Sequence, residues 1–150
     1  MGIAIPQVIT PSKASGAQVI DGSLKFDRSI GNFLYRVFST EGNRRTWTWA
    51  GWLKASPDGN YKRFWGVGGD TSPSVSQNYY RHNNTGTLTI GSDTDSTHKI
   101  TSQNLRDTGW YHVVIVQDTT DATAADRFRL YLNGERVTSF GTDNNFSQNA

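Results

Sequence analysis

Cysteine is missing altogether from this 150-residue chain. Its absence removes disulfides, thiolate zinc sites and cysteine nucleophiles in one step. It does not fix a compartment, because particles outside the cell need not rely on disulfides. Apolar residues are scarce as well, at 35% of the chain, and no run approaches the roughly 20 residues of a membrane-spanning helix. Charge of one sign is also wanting: fifteen Lys and Arg against thirteen Asp and Glu leave a net charge of +2. The basic pairs Arg44-Arg45 and Lys62-Arg63 fall among strand-forming residues. They make no basic face or helix, which speaks against a nucleic-acid partner. Residues 1–16 lack the charged-then-apolar order of a secretory signal, so a route other than a cleaved signal is expected if the protein acts outside a cell.

What the chain does have is rings and turns. Five Trp, six Tyr and seven Phe stand beside fifteen Gly, so the core must be built from a few large side chains carried on short strands. Residues 1–17, with Pro6, Pro11 and small residues, read as an extended arm. Ile3, Ile5, Pro6, Val8 and Ile9 are its docking candidates, set against a simple flexible start. From residue 18 onward the signal is β, with strands expected at 33–38, 46–54, 61–67, 78–82, 85–90, 110–117 and 127–132. Period two places Trp47, Trp49, Gly51 and Leu53 on one face of the 46–54 strand, with Thr48, Ala50, Trp52 and Lys54 on the other. Large rings on both faces predict a central strand covered on both sides. Asn133-Gly134 is a strong two-residue hairpin signal, with residues 135–140 returning. Residues 141–150 are polar and suggest no strand, and no helix is expected.

The segments Thr108-Gly109-Trp110-Tyr111-His112-Val113-Val114-Ile115-Val116 and Leu130-Tyr131-Leu132-Asn133-Gly134 resemble the laminin-G-like jelly roll of concanavalin A type. Ser23-Leu24-Lys25-Phe26-Asp27 looks like that family's opening strand, and residues 46–54 like its aromatic strand. The resemblance implies an all-β antiparallel sandwich over residues 18–140, between the arm at 1–17 and a polar tail, or the start of a continuation, at 141–150. It also implies a further strand pair after the hairpin, for which the sequence offers no obvious equivalent. An edge left open would invite aggregation, so either a continuation of a longer protein or a second chain is expected to cover it. The phrase from Glu41 to Trp52 resembles the version of the domain found in structural proteins of tailed, especially marine, bacteriophages.

Catalysis is not expected. Glycosidic hydrolysis needs two carboxylates flanking the scissile bond, and laminarin-degrading relatives carry a Glu-x-Asp-x-x-Glu strand. This chain has two glutamates, Glu41 and Glu135, both in turn contexts. His82, His98 and His112 show no metal-ligand spacing, no Gly-x-Ser-x-Gly elbow is present, and His112 reads as a structural, hydrogen-bonded residue. No cofactor is expected. Calcium is the one metal to weigh, through Asp93 and Asp95, but it wants six to eight oxygens and a solvated loop is preferred. Glycan binding would use exposed rings, with Trp52, Trp65, Tyr79 and Tyr80 as platforms and Arg81, Asn83 and Asn84 as polar neighbours. Two functions follow as expectations. One is a structural module of a virion (tail fibre, appendage or decoration), assembled in the host cytoplasm and bound to other virion proteins or to copies of itself. The alternative is a lectin-like domain that attaches to cell-surface glycan.

Overall fold

A computed structural model describes residues 34, 36–54, 62–68, 76–82, 85–92, 98–105 and 109–150, with the side chains of 62, 67, 68, 76–82 and 92 excepted. The chain divides into two compact units, Met1–Thr40 and Glu41–Ala150. In the first unit, Leu34, Val37 and Phe38 are exposed, and the Arg36 guanidinium stands 5.0 Å from the Phe38 ring centroid. The strand expected at 33–38 is not formed at Leu34 or at residues 36–38. Apolar, β-prone residues make a strand only when a neighbour takes up their backbone groups. The docking-arm residues Ile3, Ile5, Pro6, Val8 and Ile9 and the opening strand near Leu24 lie outside the described residues.

Among the described residues of Glu41–Ala150 there are nine strands: β1 (Thr46–Leu53), β2 (Lys62–Gly68), β3 (Ser76–His82), β4 (Leu88–Ser92), β5 (His98–Thr101), β6 (Tyr111–Asp118), β7 (Phe128–Leu132), β8 (Glu135–Arg136) and β9 (Phe140–Asp143). They form two sheets, ordered β1-β6-β7-β8 and β2-β3-β4-β5-β9, and every pairing is antiparallel. The only helical element among them is a single 3-10 turn, Ala124–Asp126. The result is the expected all-β antiparallel sandwich.

Alternation builds the core. Val113 and Ile115 of β6 and Phe128, Leu130 and Leu132 of β7 meet Leu88, Ile90 and Leu105 from the other layer. Full burial of each such side chain is worth about 1.5–3 kcal/mol. β6 lies between β1 and β7, the central place its Val-Val-Ile-Val run suggests. Trp47, Trp49 and Leu53 of β1 pack on this cluster together with Phe64 and Trp65 of β2. Phe64 and Trp65 are consecutive, so a regular strand would point them to opposite faces. A register shift between Arg63 and Trp65, a bulge in the sense of two residues opposing one, lets both rings reach the interior.

Three expectations need correction. First, β1 is not covered on both sides. Among the described residues it pairs with β6 alone, and Trp52 on its outer face is 57% exposed. Second, a strand forms where residues 141–150 suggested none. Phe140–Asp143 pairs with β5, placing Ile100 opposite Thr142 and Lys99 opposite Asp143. Polar composition hid it: its four residues are Phe, Gly, Thr and Asp, and the Phe140 ring alone is anchored on the core. Third, no strand was expected over residues 98–101, yet β5 forms there with a lysine at one of its two buried positions. Lys99 is buried, with Nζ 2.7 Å from the Asp143 carboxylate and 4.9 Å from the Phe140 ring centroid. An ammonium that deep requires such a partner.

Residues 144–150 are then held against the turn after β6. The Asn149 N–H donates to the Thr119 carbonyl at 2.8 Å, and the Thr119 hydroxyl donates to the Ala150 carbonyl at 3.0 Å. Arg127 Nη1 donates to the Phe146 carbonyl at 3.0 Å, while the Phe146 ring meets Phe128 edge-on at 5.2 Å.

Candidate functional site

The outward residues of the four-stranded sheet follow from register. Trp52 lies opposite His112, Ala50 opposite Val114 and Thr48 opposite Val116; Val114 in turn faces Tyr131, and Val116 faces Arg129. Directly opposed residues share a face, so this surface is apolar along its middle and carries Trp52 and His112 together at one end. Their ring centroids are 5.1 Å apart and tilted by 40°. Trp110 and Lys54, each one residue beyond the last pair Leu53–Tyr111, are exposed at the same end. The Asn133-Gly134 turn closes beside them. Its positive φ values, 50° and 89°, are those a type I′ turn requires, and the Asn133 carboxamide oxygen accepts from the His112 N–H at 2.9 Å.

The opposite end of the sheet holds the segment that leads into β1 and residues 148–150. There Thr46 faces Asp118, the Gln117 side-chain amide donates to the Arg44 carbonyl at 2.8 Å, and the Thr119 N–H donates to the Arg45 carbonyl at 2.9 Å. Residues 148–150 lie against Thr119 and Thr120 at this end too. Eight residues of β1, roughly 23 Å at the usual strand rise, separate this end from the exposed rings.

The other residues singled out from sequence are distributed unevenly. Trp65 is no surface platform. Its ring lies 5.0 Å from that of Trp47 and 6.4 Å from that of Trp49, turned inward by the β2 bulge. Tyr79, Tyr80 and Arg81 are on β3, where the backbone places Tyr80 opposite Trp65 and Ile90, and Tyr79 opposite Gly66 and Gly91. Asn83, Asn84, Asp93 and Asp95 lie outside the described residues. Among the described residues no group of three or more His, Cys, Asp or Glu is placed to hold a metal. The structure therefore gathers Trp52 with a residue that sequence reading assigned to the scaffold, His112, and with Trp110 and Asn133. The period-two match of Trp110 to His112 was legible; their approach to Trp52 depends on the β1–β6 register, which no local pattern carries.

A model of the laminin G type, described as the concanavalin A-like lectin/glucanases superfamily, matches residues 35–150. The chain belongs to that superfamily. No curated protein and no solved structure matches it.

Within this lectin/glucanase domain five of the six described carboxylates, all but Glu135, serve the scaffold. Glu41 pairs with Arg44 and Asp126 with Arg136, and Asp143 holds Lys99. Asp121 accepts from the Thr123 N–H at 2.8 Å. Asp118 accepts from the Thr120 hydroxyl at 2.6 Å and from its N–H at 3.1 Å. Those bonds, the side-chain one foremost, hold the Asp118 carboxyl below its ordinary pKa, with the Arg129 charge adding to them against a partial desolvation.

Proposed function

We propose that Glu41–Ala150 is a non-catalytic binding module whose ligand is a carbohydrate, met by the Trp52–His112 pair. The observation that carries the reading is an indole 57% exposed on an outer sheet face, its ring backed by the His112 imidazole 5.1 Å away. An exposed aromatic face offers an apolar sugar face a partner, and a neighbouring imidazole offers hydrogen-bonding nitrogens. The absence of catalysis is supported by the scaffold duties of five of the described carboxylates. The test is an array of immobilised neutral and acidic oligosaccharides probed with the full chain. Binding that is present in the parent and lost in Trp52→Ala, with folding retained, supports the reading. An array on which the parent binds nothing sinks it.

A second reading is a protein-contact role in a virion, with other virion proteins or further copies of this chain as partners. It is favoured by Leu34, Val37 and Phe38, which are 70–76% exposed and form an apolar stretch that a partner would cover, and by the phage-like phrase from Glu41 to Trp52. Light scattering on the full chain is expected to give an oligomer. A monomer at all concentrations would count against this reading and leave the first untouched.

A further inference from the structure

We propose that Asn133 is a positioning residue for the exposed aromatic pair, fixing His112 against Trp52 and so setting which ligand edge the surface accepts. The inference rests on the carbohydrate-binding reading of that surface. Two bonds carry it. The Asn133 side-chain oxygen accepts from the His112 N–H at 2.9 Å, and the Asn133 N–H donates to the His112 carbonyl at 2.8 Å. One residue thus grips both polar backbone groups of His112, across a gap of 21 positions in sequence. Asn133 can do so because it sits at φ 50°, a conformation asparagine tolerates better than most residues, with Gly134 completing the turn. Directly opposite His112 in the β1–β6 register stands Trp52, its ring 5.1 Å away. With its backbone clamped, the imidazole keeps one side on the indole and leaves a polar rim beside an apolar face. A sugar stacked on Trp52 would meet that rim through a hydroxyl.

The test uses the full chain, isotope-labelled at histidine. The His112 ring protons are expected to be displaced upfield by the Trp52 ring current, and Trp52→Leu removes the displacement. Asn133→Gly keeps a type I′ turn but loses the carboxamide; it is expected to remove most of the displacement. Asn133→Asp restores the acceptor and is expected to recover it, with thermal denaturation confirming that both variants fold. On the oligosaccharide array, Asn133→Gly should change the ratio among bound glycans, and Asn133→Asp should return it. His112 signals unmoved by Asn133→Gly overturn the inference, whatever the array shows. A parent chain with the displacement present but no glycan bound overturns the binding reading instead.

Discussion

The two faces of β1 carry the same residue type to opposite ends. Inward, Trp47 and Trp49 pack on the buried cluster, Trp47 5.0 Å from Trp65 and Trp49 5.4 Å from Phe64. Outward, three residues beyond Trp49, Trp52 meets His112 and solvent. Nothing in the indoles distinguishes them; parity along the strand does. Because side chains alternate, a slip of one residue in the β1–β6 register would send the inner rings out and the outer ring in. The inner face therefore fixes the register on which the outer site depends. Stability and recognition are divided between two sides of one eight-residue strand.

The comparison breaks most visibly at Trp49. Trp49→Ala removes a ring from the interior and is expected to cost about 3–5 kcal/mol in denaturant unfolding, whereas a loss below about 1 kcal/mol would mean the inner face is not the stabilising one. Gly51 is next. A Cβ there would fall 2.8 Å from the Trp49 ring, closer than real contacts allow, so Gly51→Ala is expected to cost about 1–3 kcal/mol by overpacking. Replacing both Trp49 and Gly51 with alanine should recover part of the Gly51→Ala cost, since the clash goes with the ring. On the outer face Trp52→Ala should change stability by under about 1 kcal/mol while abolishing glycan binding. A large stability loss with binding intact would exchange the roles assigned to the two faces.

Much of this division was legible in the sequence and some was not. The alternation in Thr-Trp-Thr-Trp-Ala-Gly-Trp-Leu assigned Trp47, Trp49, Gly51 and Leu53 to one face, and the Asn133-Gly134 turn fell where it was read, because both signals are local. What failed is non-local. Ring content on both sides of β1 suggested burial on both, but composition cannot say which strands flank a given one. Trp65 looked available until the bulge beside it turned two consecutive rings inward. Lys99 and Asp143 are polar residues that become strand partners only through each other, so neither β5 nor β9 shows an apolar alternation. The Trp52–His112 contact crosses 60 positions of sequence and is fixed by register alone.

The smallest effect expected is at the far end of the same outer face, where Asp118 faces Thr46. The Thr120 hydroxyl, then its N–H and the Arg129 charge, lower the Asp118 pKa from 3.8 in the folded chain. A folded-state pKa depressed below the unfolded one contributes stability that is present above the unfolded value and lost as pH falls through the folded one. Carboxyl-detected titration should therefore place the Asp118 midpoint below 3.8, and Thr120→Val should raise it by removing the leading hydrogen bond. Because these bonds are local to an exposed turn, acid in this range should loosen the turn near Thr119 and leave the ring contacts of Trp47 and Trp49 unchanged. A midpoint at or above 3.8 would deny the Thr120 bonds their role. Loss of the inner-face ring contacts in step with Asp118 protonation would mean that the two sides of the sheet are coupled rather than divided.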